Sequence, residues 1–470
     1  MLSFSISGSY TDLYEITMSE TYFMEGRKDD TACFDYFFRK VPNKGGYVVF
    51  AGLQDVLNIL TDLHFTDDDL SFLRELKFNS SFIEYLKRFQ FRGNVYSCME
   101  GEIIFPNCPI LRVEGNIIEA QLVETLLLNI LNFESLIATK ASRMRYVAGN
   151  RLLSDFGLRR AQGMGGILAA RGAIIGGFES TSNVYAAQLY RLPAAGTMAH
   201  SFIESYDSEL EAFRAFAKAR PDDCIFLVDT YDTLKSGVPN AITVAKEMES
   251  NGHRAGGIRL DSGDLAYLSK VARNELDEAG LHYMKIVASN QLDEYVIKSL
   301  TEQGAQIDIF GVGTRLVTGQ PDAALDGVYK LSMASGKPRL KLSETLEKIT
   351  LPGIKHTYRV ITSDGLFFGA DVVTLTEEQQ KTDIMYHPFE AGKSLVIGNF
   401  QQEPLLQKVM EKGKIISQSY SLKDIAGYAK RRLLLLPTEY KRFENPHLYK
   451  VGVSKKLLAL RDQLKDDYKK

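Results

Sequence analysis

The sequence predicts an α/β protein built around a β/α barrel, and three observations carry that prediction. The segment Gly256–Leu265, GGIRLDSGDL, runs a short apolar strand straight into Arg, Asp, Ser, Gly and Asp. Three other segments share the design. Ile225–Leu227 leads to Val228, Asp229 and Thr230, Lys285–Ala288 to Ser289 and Asn290, and Ile307–Phe310 to Gly311, Gly313 and Thr314. Helical patterns separate these strands at Ala241–Ser250, Leu265–Ala279 and Asp293–Gln303. A repeat of roughly 25–30 residues is the size of a βα unit. Polar groups at the carboxyl ends of successive parallel strands are how such a barrel builds a site.

The elements follow in chain order. Val48–Leu60 and Thr66–Arg92 read as mainly helical, while Cys33–Arg39 and Glu102–Val113 are rich in aromatic and branched residues, as strands are. Apolar residues recur at three- and four-residue spacing over Ile117–Tyr146, which predicts a long helix. Its nearly all-round apolar first half implies burial, with a subunit contact as one place for it. Barrel strands are expected at Leu152–Phe156, Ala173–Phe178, Ala194–Ala199, Cys224–Val228, Gly257–Leu260, Lys285–Ala288 and Ile307–Val312. That is one strand short of a regular barrel, so either an eighth hides in irregular sequence or the barrel is incomplete. Val328–Leu331, Thr357–Ile361 and Gly365–Leu375 then alternate like antiparallel strands, and Ser454–Lys469 reads as a charged terminal helix.

Composition narrows the function classes. A net charge of −3 over 470 residues exerts no general pull on nucleic acid, so local groups must hold any anionic ligand. No run approaches the roughly 20 apolar residues of a membrane span, and the N-terminus lacks a signal-peptide pattern. No membrane association is expected. The cysteines Cys33, Cys98, Cys108 and Cys224 are scattered without CxxC spacing, which argues against structural zinc and for reduced, cytoplasmic thiols.

Several residues carry candidate chemistry. Asp261 sits where a strand meets its loop, with Asp264 three residues on. Such carboxylates suit sugar hydroxyls, Mg²⁺ or a developing oxocarbenium ion, but Ser262 or Asp264 equally fits a helix N-cap. Gly311–Thr314 follows a buried strand, and glycines there let backbone N–H groups approach an anion, as they also serve any tight turn. His200 lies at a candidate strand end, where it suits acid–base or nucleophilic work or simply a satisfied loop histidine. Arg159 and Arg160 follow Phe156 and Gly157; guanidinium groups suit phosphate or carboxylate, and Phe156 suits a flat ring. No Walker A loop, dinucleotide fingerprint or metal-binding HExxH is present.

Taken in order, the motifs resemble those of the nicotinate phosphoribosyltransferase family over nearly the whole chain. They are TDLYEITM (Thr11–Met18), FRKVP (Phe38–Pro42), YVVFAGL (Tyr47–Leu53), FGLRRAQG (Phe156–Gly163) and GGFESTSNV (Gly176–Val184), followed by GTMAHSF (Gly196–Phe202), IRLDSGDL (Ile258–Leu265), FGVGT (Phe310–Thr314) and FENPHLYKVG (Phe443–Gly452). The resemblance implies a type II phosphoribosyltransferase fold: an irregular α/β barrel with a second α+β domain made from the N- and C-terminal parts. The expected bounds are 1–115 with about 328–435 for that domain, 116–327 for the barrel and 436–470 for a helical extension.

The resemblance also implies a reaction, in which nicotinate and 5-phosphoribosyl 1-diphosphate give nicotinate mononucleotide and diphosphate, coupled to ATP hydrolysis with Mg²⁺. His200 is then the histidine that ATP phosphorylates. Phe156 and Tyr14 sandwich the pyridine, with Tyr14 arriving from the other subunit of a homodimer. Arg159, Thr197 and Arg259 line the nicotinate and donor site, Asp261 faces the ribose, and Ser289, Asn290, Gly313 and Thr314 hold donor phosphate. Similar nicotinamide-using enzymes carry an Asp where Ser182 stands here. An Asp repels a carboxylate, so Ser182 favours nicotinate. The metal ligands are not identified by the motifs. The competing readings are a nicotinamide phosphoribosyltransferase, another barrel enzyme acting on a phosphorylated sugar, and a catalytically silent relative serving as a binding protein.

Overall fold

A computed structural model describes residues 6–344, 348–378 and 381–468. The chain forms two compact units, Met1–Leu136 with Ala324–Lys470, and Ile137–Ala323. The sequence predicts boundaries at 115, 327 and 435, whereas the compact units divide at Leu136 and Ala323.

In the first unit the two ends of the chain interleave. The strand Thr31–Phe38 pairs antiparallel with Gly327–Ala334 on one side and Leu111–Asn116 on the other. Its Phe34, Tyr36 and Phe38 recur at the two-residue period of one strand face and are buried with Leu127, Ile130 and Leu131. A second sheet centres on Phe367–Leu375, which pairs antiparallel with Lys355–Ile361 and parallel with Lys450–Val453. The Val48–Leu60 stretch begins as the short strand Val48–Val49 before the helix Leu53–Asp62, and Glu102–Val113 splits into Ile103–Ile104 and Leu111–Asn116. The terminal helix spans Lys455–Asp467, capped by Ser454; the expected end at Lys469 lies outside the described residues.

The long apolar helix is present as Ile117–Leu122 and Glu124–Ala148. Contrary to the sequence reading, Ile117–Ala148 is long and apolar enough to cross a membrane by length and composition. Yet 72% of its apolar window is buried inside the protein, as in the core helix of a globular chain.

The second unit holds an all-parallel sheet. Its order is Ser180–Thr181, Leu152–Asp155, Ile309–Val312, Lys285–Ser289, Gly257–Leu260, Ile225–Leu227. The last strand of the run thus pairs with the first, which is how a βα succession curls toward a barrel. Ala194 adds a single parallel bridge to Thr181. Among the described residues no pairing joins Ala194 to Ile225–Leu227, so the barrel is open at that seam.

Two expected strands are corrected. Ala173–Phe178 is the end of the helix Gly165–Ile175 and the turn after it, with the strand beginning at Ser180. Beyond Ala194, residues 195–199 form no strand. A short apolar run does not distinguish a buried helix from a buried strand by periodicity.

Candidate functional site

The carboxyl ends of three neighbouring strands bring a polar cluster together. In Gly257–Leu260, Ile258 and Leu260 are buried while Arg259 takes the other face of the strand. Its guanidinium ties three segments. Nε donates to Ser289 Oγ (2.8 Å), Nη2 to Asp261 Oδ1 (2.7 Å) and Nη1 to Thr197 Oγ1 (3.1 Å). Ser289 Oγ in turn donates to Asp261 Oδ1. Arg259 and Asp261 side chains keep 13% and 21% of their exposure, so the pair is sheltered but open to a ligand.

A second carboxylate organises the same cluster from below. Asp229 follows the strand Ile225–Leu227, and its side chain is 1% exposed. Its Oδ2 accepts from the Asp261 backbone N–H (2.8 Å) and Ser262 Oγ (2.7 Å). Its Oδ1 lies 3.3 Å from Nε2 of His200, whose ring is 40% exposed at the start of the helix His200–Glu204. One buried anion thus joins the histidine segment to the Asp261 strand end. The sequence placed Asp229 at a strand end but gave it no role; its position after Val228 was the available signal.

The pyridine-sized feature is the Phe156 ring. A Cβ on Gly311 would lie 2.4 Å from Phe156 Cε2, so the strand must carry glycine for the ring to rest there. Arg259 Cζ lies 5.5 Å from the ring centroid. The turn after Phe156 is equally tight, since a Cβ on Gly157 would meet Val317 Cγ1 at 2.0 Å. Asp155 holds this turn by accepting from the Gly157 N–H at 2.8 Å.

The structure brings together Phe156, Thr197, His200, Arg259, Asp261 and Ser289, with Gly313 next to the Phe156 carbonyl (3.2 Å from a Cβ position). Arg159 lies exposed in the 3-10 turn Leu158–Arg160, and Thr314 opens the short helix Thr314–Val317; neither bonds to the cluster among the described residues. Asn290 and Gln291 follow Ser289 with φ of 77° and 52°, consecutive left-handed residues exposed at the strand end. Such backbone strain is concentrated at ligand sites. Ser182 follows Thr181 half-buried, its N–H donating to the Asp155 carbonyl at 2.7 Å. Tyr14 belongs to the other unit, on the helix Leu13–Met24, and is 49% exposed. Desolvation and Glu124 push its hydroxyl up to about 12, so it stays protonated. Asp264 accepts from the Tyr267 N–H at 3.0 Å and caps the helix Leu265–Glu278, the capping alternative that the sequence offers for it.

Three family models match the chain in order: the nicotinate phosphoribosyltransferase N-terminal domain over residues 10–132, the nicotinate phosphoribosyltransferase family over 152–385 and the C-terminal domain over 354–461. The chain belongs to the nicotinate phosphoribosyltransferase family. A Bacillus subtilis nicotinate phosphoribosyltransferase is 47% identical, covering 95% of this chain and 92% of the relative. A Dictyostelium discoideum nicotinate phosphoribosyltransferase is 39% identical, covering 95% and 86%. Among solved structures, human nicotinic acid phosphoribosyltransferase superposes with a TM-score of 0.87 at 33% identity, covering 97% of this chain and 99% of that one. Family membership thus agrees with the barrel and its companion α+β unit.

Proposed function

We propose that this chain joins nicotinate to 5-phosphoribosyl 1-diphosphate, giving nicotinate mononucleotide and diphosphate, in the salvage route to NAD. The observation that carries the reading is the Arg259–Asp261–Ser289 cluster beside the Phe156 ring. It sets a cation, a carboxylate and a hydroxyl for a sugar phosphate next to an apolar face for a pyridine.

The chemistry needs little beyond placement. The pyridine nitrogen lone pair forms the bond to C1′ as the C1′–O bond to diphosphate breaks, and that electron pair leaves with diphosphate. Positive charge grows on the ribose ring, where the Asp261 carboxylate stabilises it. No base is required, because the ring nitrogen carries no proton; the ring has only to be held near C1′. In this reading Phe156 stacks on one face of the ring and Tyr14, from a second copy in a homodimer, on the other. Arg159, Thr197 and Arg259 line the nicotinate and donor site. Ser289, Asn290, Gly313 and Thr314 hold the donor phosphate. Ser182 in place of an acid leaves the nicotinate carboxylate unopposed.

His200 is assigned as the acceptor of the ATP γ-phosphoryl group. When Asp229 accepts from the Nε2–H, the Nδ1 lone pair is free to attack phosphorus, with ADP leaving. Hydrolysis of the phosphohistidine returns phosphate and resets the site. Mg²⁺ fits as an ion carried chiefly by diphosphate oxygens. Among the described residues no group of three or more His, Cys, Asp or Glu side chains gathers to hold a metal. Four buried free cysteines support a reducing, cytoplasmic location.

The test is product formation from 5-phosphoribosyl 1-diphosphate and Mg²⁺, offering nicotinate and nicotinamide separately, with and without ATP. The expected result is nicotinate mononucleotide, stimulated by ATP, and a His200→Ala variant that keeps its fold but loses the stimulation. Preference for nicotinamide would overturn the Ser182 argument, and no product from either base would point to a silent relative. ATP-dependent kinetics unchanged in His200→Ala would remove the phosphohistidine role.

A further inference from the structure

We propose that Asp155 and Thr181 are a positioning pair that sets the spacing between Phe156 and Ser182, and so where the carboxylate of a stacked pyridine falls relative to Ser182, without touching the base. The inference rests on the functional reading above and deepens it.

The argument starts from the shortness of a strand. Ser180–Thr181 is two residues long and pairs with its neighbour only through Ser154↔Ser180 and Asp155↔Thr181. On its other side stands the single bridge to Ala194. Two backbone pairs specify register weakly, and a one-residue slip would turn every side chain to the opposite face. Side chains supply the missing constraint. Thr181 Oγ1 donates to Asp155 Oδ2 at 2.7 Å, and Ser180 Oγ donates to Ser154 Oγ at 2.9 Å.

Asp155 divides its carboxylate between the segment that carries Phe156 and the one that carries Ser182. Oδ1 accepts from the Gly157 N–H, which fixes the turn that carries Phe156. Oδ2 accepts from Thr181, which fixes the strand end that carries Ser182. The Asp155 carbonyl also accepts from the Ser182 N–H. The bonding continues outward: Asn183 N–H donates to Thr181 Oγ1 (3.0 Å), and Asn183 Nδ2 donates to the Gly166 carbonyl (3.1 Å). Asp155 is 1% exposed and Thr181 fully buried, so neither meets solvent, and a buried carboxylate that loses a partner has no water to replace it. Burial pushes the Asp155 carboxyl up, against the pull of the Thr181 and Gly157 bonds. Those bonds therefore help to keep it an acceptor for both segments.

The experiment compares wild type with Asp155→Asn, Thr181→Val and Thr181→Ser. It measures KM for nicotinate, KM for the phosphoribosyl donor, kcat and the nicotinate-to-nicotinamide preference. Thr181→Val removes the hydroxyl at nearly constant shape, and Thr181→Ser restores it. Thr181→Val and Asp155→Asn are expected to raise KM for nicotinate about tenfold, the scale of one lost bond to a charged group. KM for the donor should stay within about twofold, and Thr181→Ser should recover the wild-type value. A merely structural role would lower the melting temperature without separating the two KM values. A parallel rise in both KM values, a change in kcat alone, or a Thr181→Ser variant as impaired as Thr181→Val would overturn the inference. If Asp155→Asn does not fold, the two Thr181 variants decide. Wild-type protein inactive on nicotinate would sink the functional reading itself, and this inference with it.

Discussion

Two charged networks in this protein follow opposite designs. In the first unit, Arg359 is fully buried and donates to Glu102 (2.6 Å) and Asp371 (3.0 Å), while Arg432 bridges Glu102 to Glu403. Tyr428 donates to Glu102 Oε2, and Tyr449 donates to Asp371 Oδ1, the oxygen that also accepts from Arg359 Nε. In the second unit, Arg259, Asp261 and Ser289 bond to one another but retain exposure, and His200 beside Asp229 is 40% exposed. The first network is closed at its Arg359–Glu102–Asp371 centre, with Glu403 at its edge 37% exposed, and holds strands and a helix; the second is open on the side where a ligand would complete it. Burial decides the difference. A charge taken fully out of water must find all its partners within the protein, whereas a half-exposed one keeps coordination free for a substrate.

Removing one member of the closed network should have the largest effect. Arg359→Met strands Glu102 and Asp371 without their shared cation, and should destabilise by about 3–5 kcal/mol, read from the denaturant midpoint. A loss below about 1 kcal/mol would mean that the network is not closed as described. Glu15 sharpens the same comparison, because it is a buried carboxylate with no ion-pair partner among the described residues. Burial, with Glu124 nearby, pushes it up to about 7 despite the Gln121 bond at 2.6 Å, whereas Arg359 and Arg432 outweigh burial at Glu102 and hold it below its ordinary value. A raised carboxyl binds its proton more tightly in the folded state than in the unfolded chain. The contribution of Glu15 to stability is therefore greatest below its ordinary 4.5 and is lost as pH rises through about 7. Glu15→Gln should exceed wild type in stability above pH 7, by up to about 3 kcal/mol, and the difference should close in acid. Parallel stability curves for the two proteins across that range would refute the shift.

The strand–loop–helix rhythm from Ile225 to Thr314 was legible because each βα unit repeats one pattern with polar residues at the same end. Arg259, Asp261 and Ser289 were readable for the same reason, whereas His200 was singled out at the end of an expected strand, Ala194–Ala199, that does not form beyond Ala194. Asp229 was not, although it lies at an equivalent strand end, because sequence shows that an acid is present but not that it receives three groups from two other segments. The Gly165–Ile175 helix hid its character because it is apolar nearly all round, so Ala173–Phe178 read as a strand. The closed Arg359 network was invisible, since its members lie up to 330 positions apart in the chain.

Within the open network Asp229 is the residue most like a member of the closed one, being buried and fully bonded. Asp229→Asn keeps the shape but loses the charge that orients His200. ATP-stimulated turnover should fall roughly ten- to a hundredfold, the equivalent of about 1.5–3 kcal/mol for a charge-assisted bond. The melting temperature should move far less than in Arg359→Met. Equal loss of turnover with and without ATP would show that Asp229 serves the Asp261 strand end rather than the histidine.

The smallest expected effect separates two acids three residues apart. Asp264 caps the helix Leu265–Glu278 through the Tyr267 N–H, whereas Asp261 faces the open cluster. Asp264→Ala should cost about 1 kcal/mol of stability and Asp264→Ser almost none, because a serine hydroxyl can also accept that N–H. Neither change should alter KM for the phosphoribosyl donor, while Asp261→Asn should raise it. A donor KM that rises in Asp264→Ala but is restored in Asp264→Ser would mean that the cap also sets the geometry of the loop holding Asp261. The boundary between the capping acid and the acid of the open cluster would then run through the 261–264 turn itself.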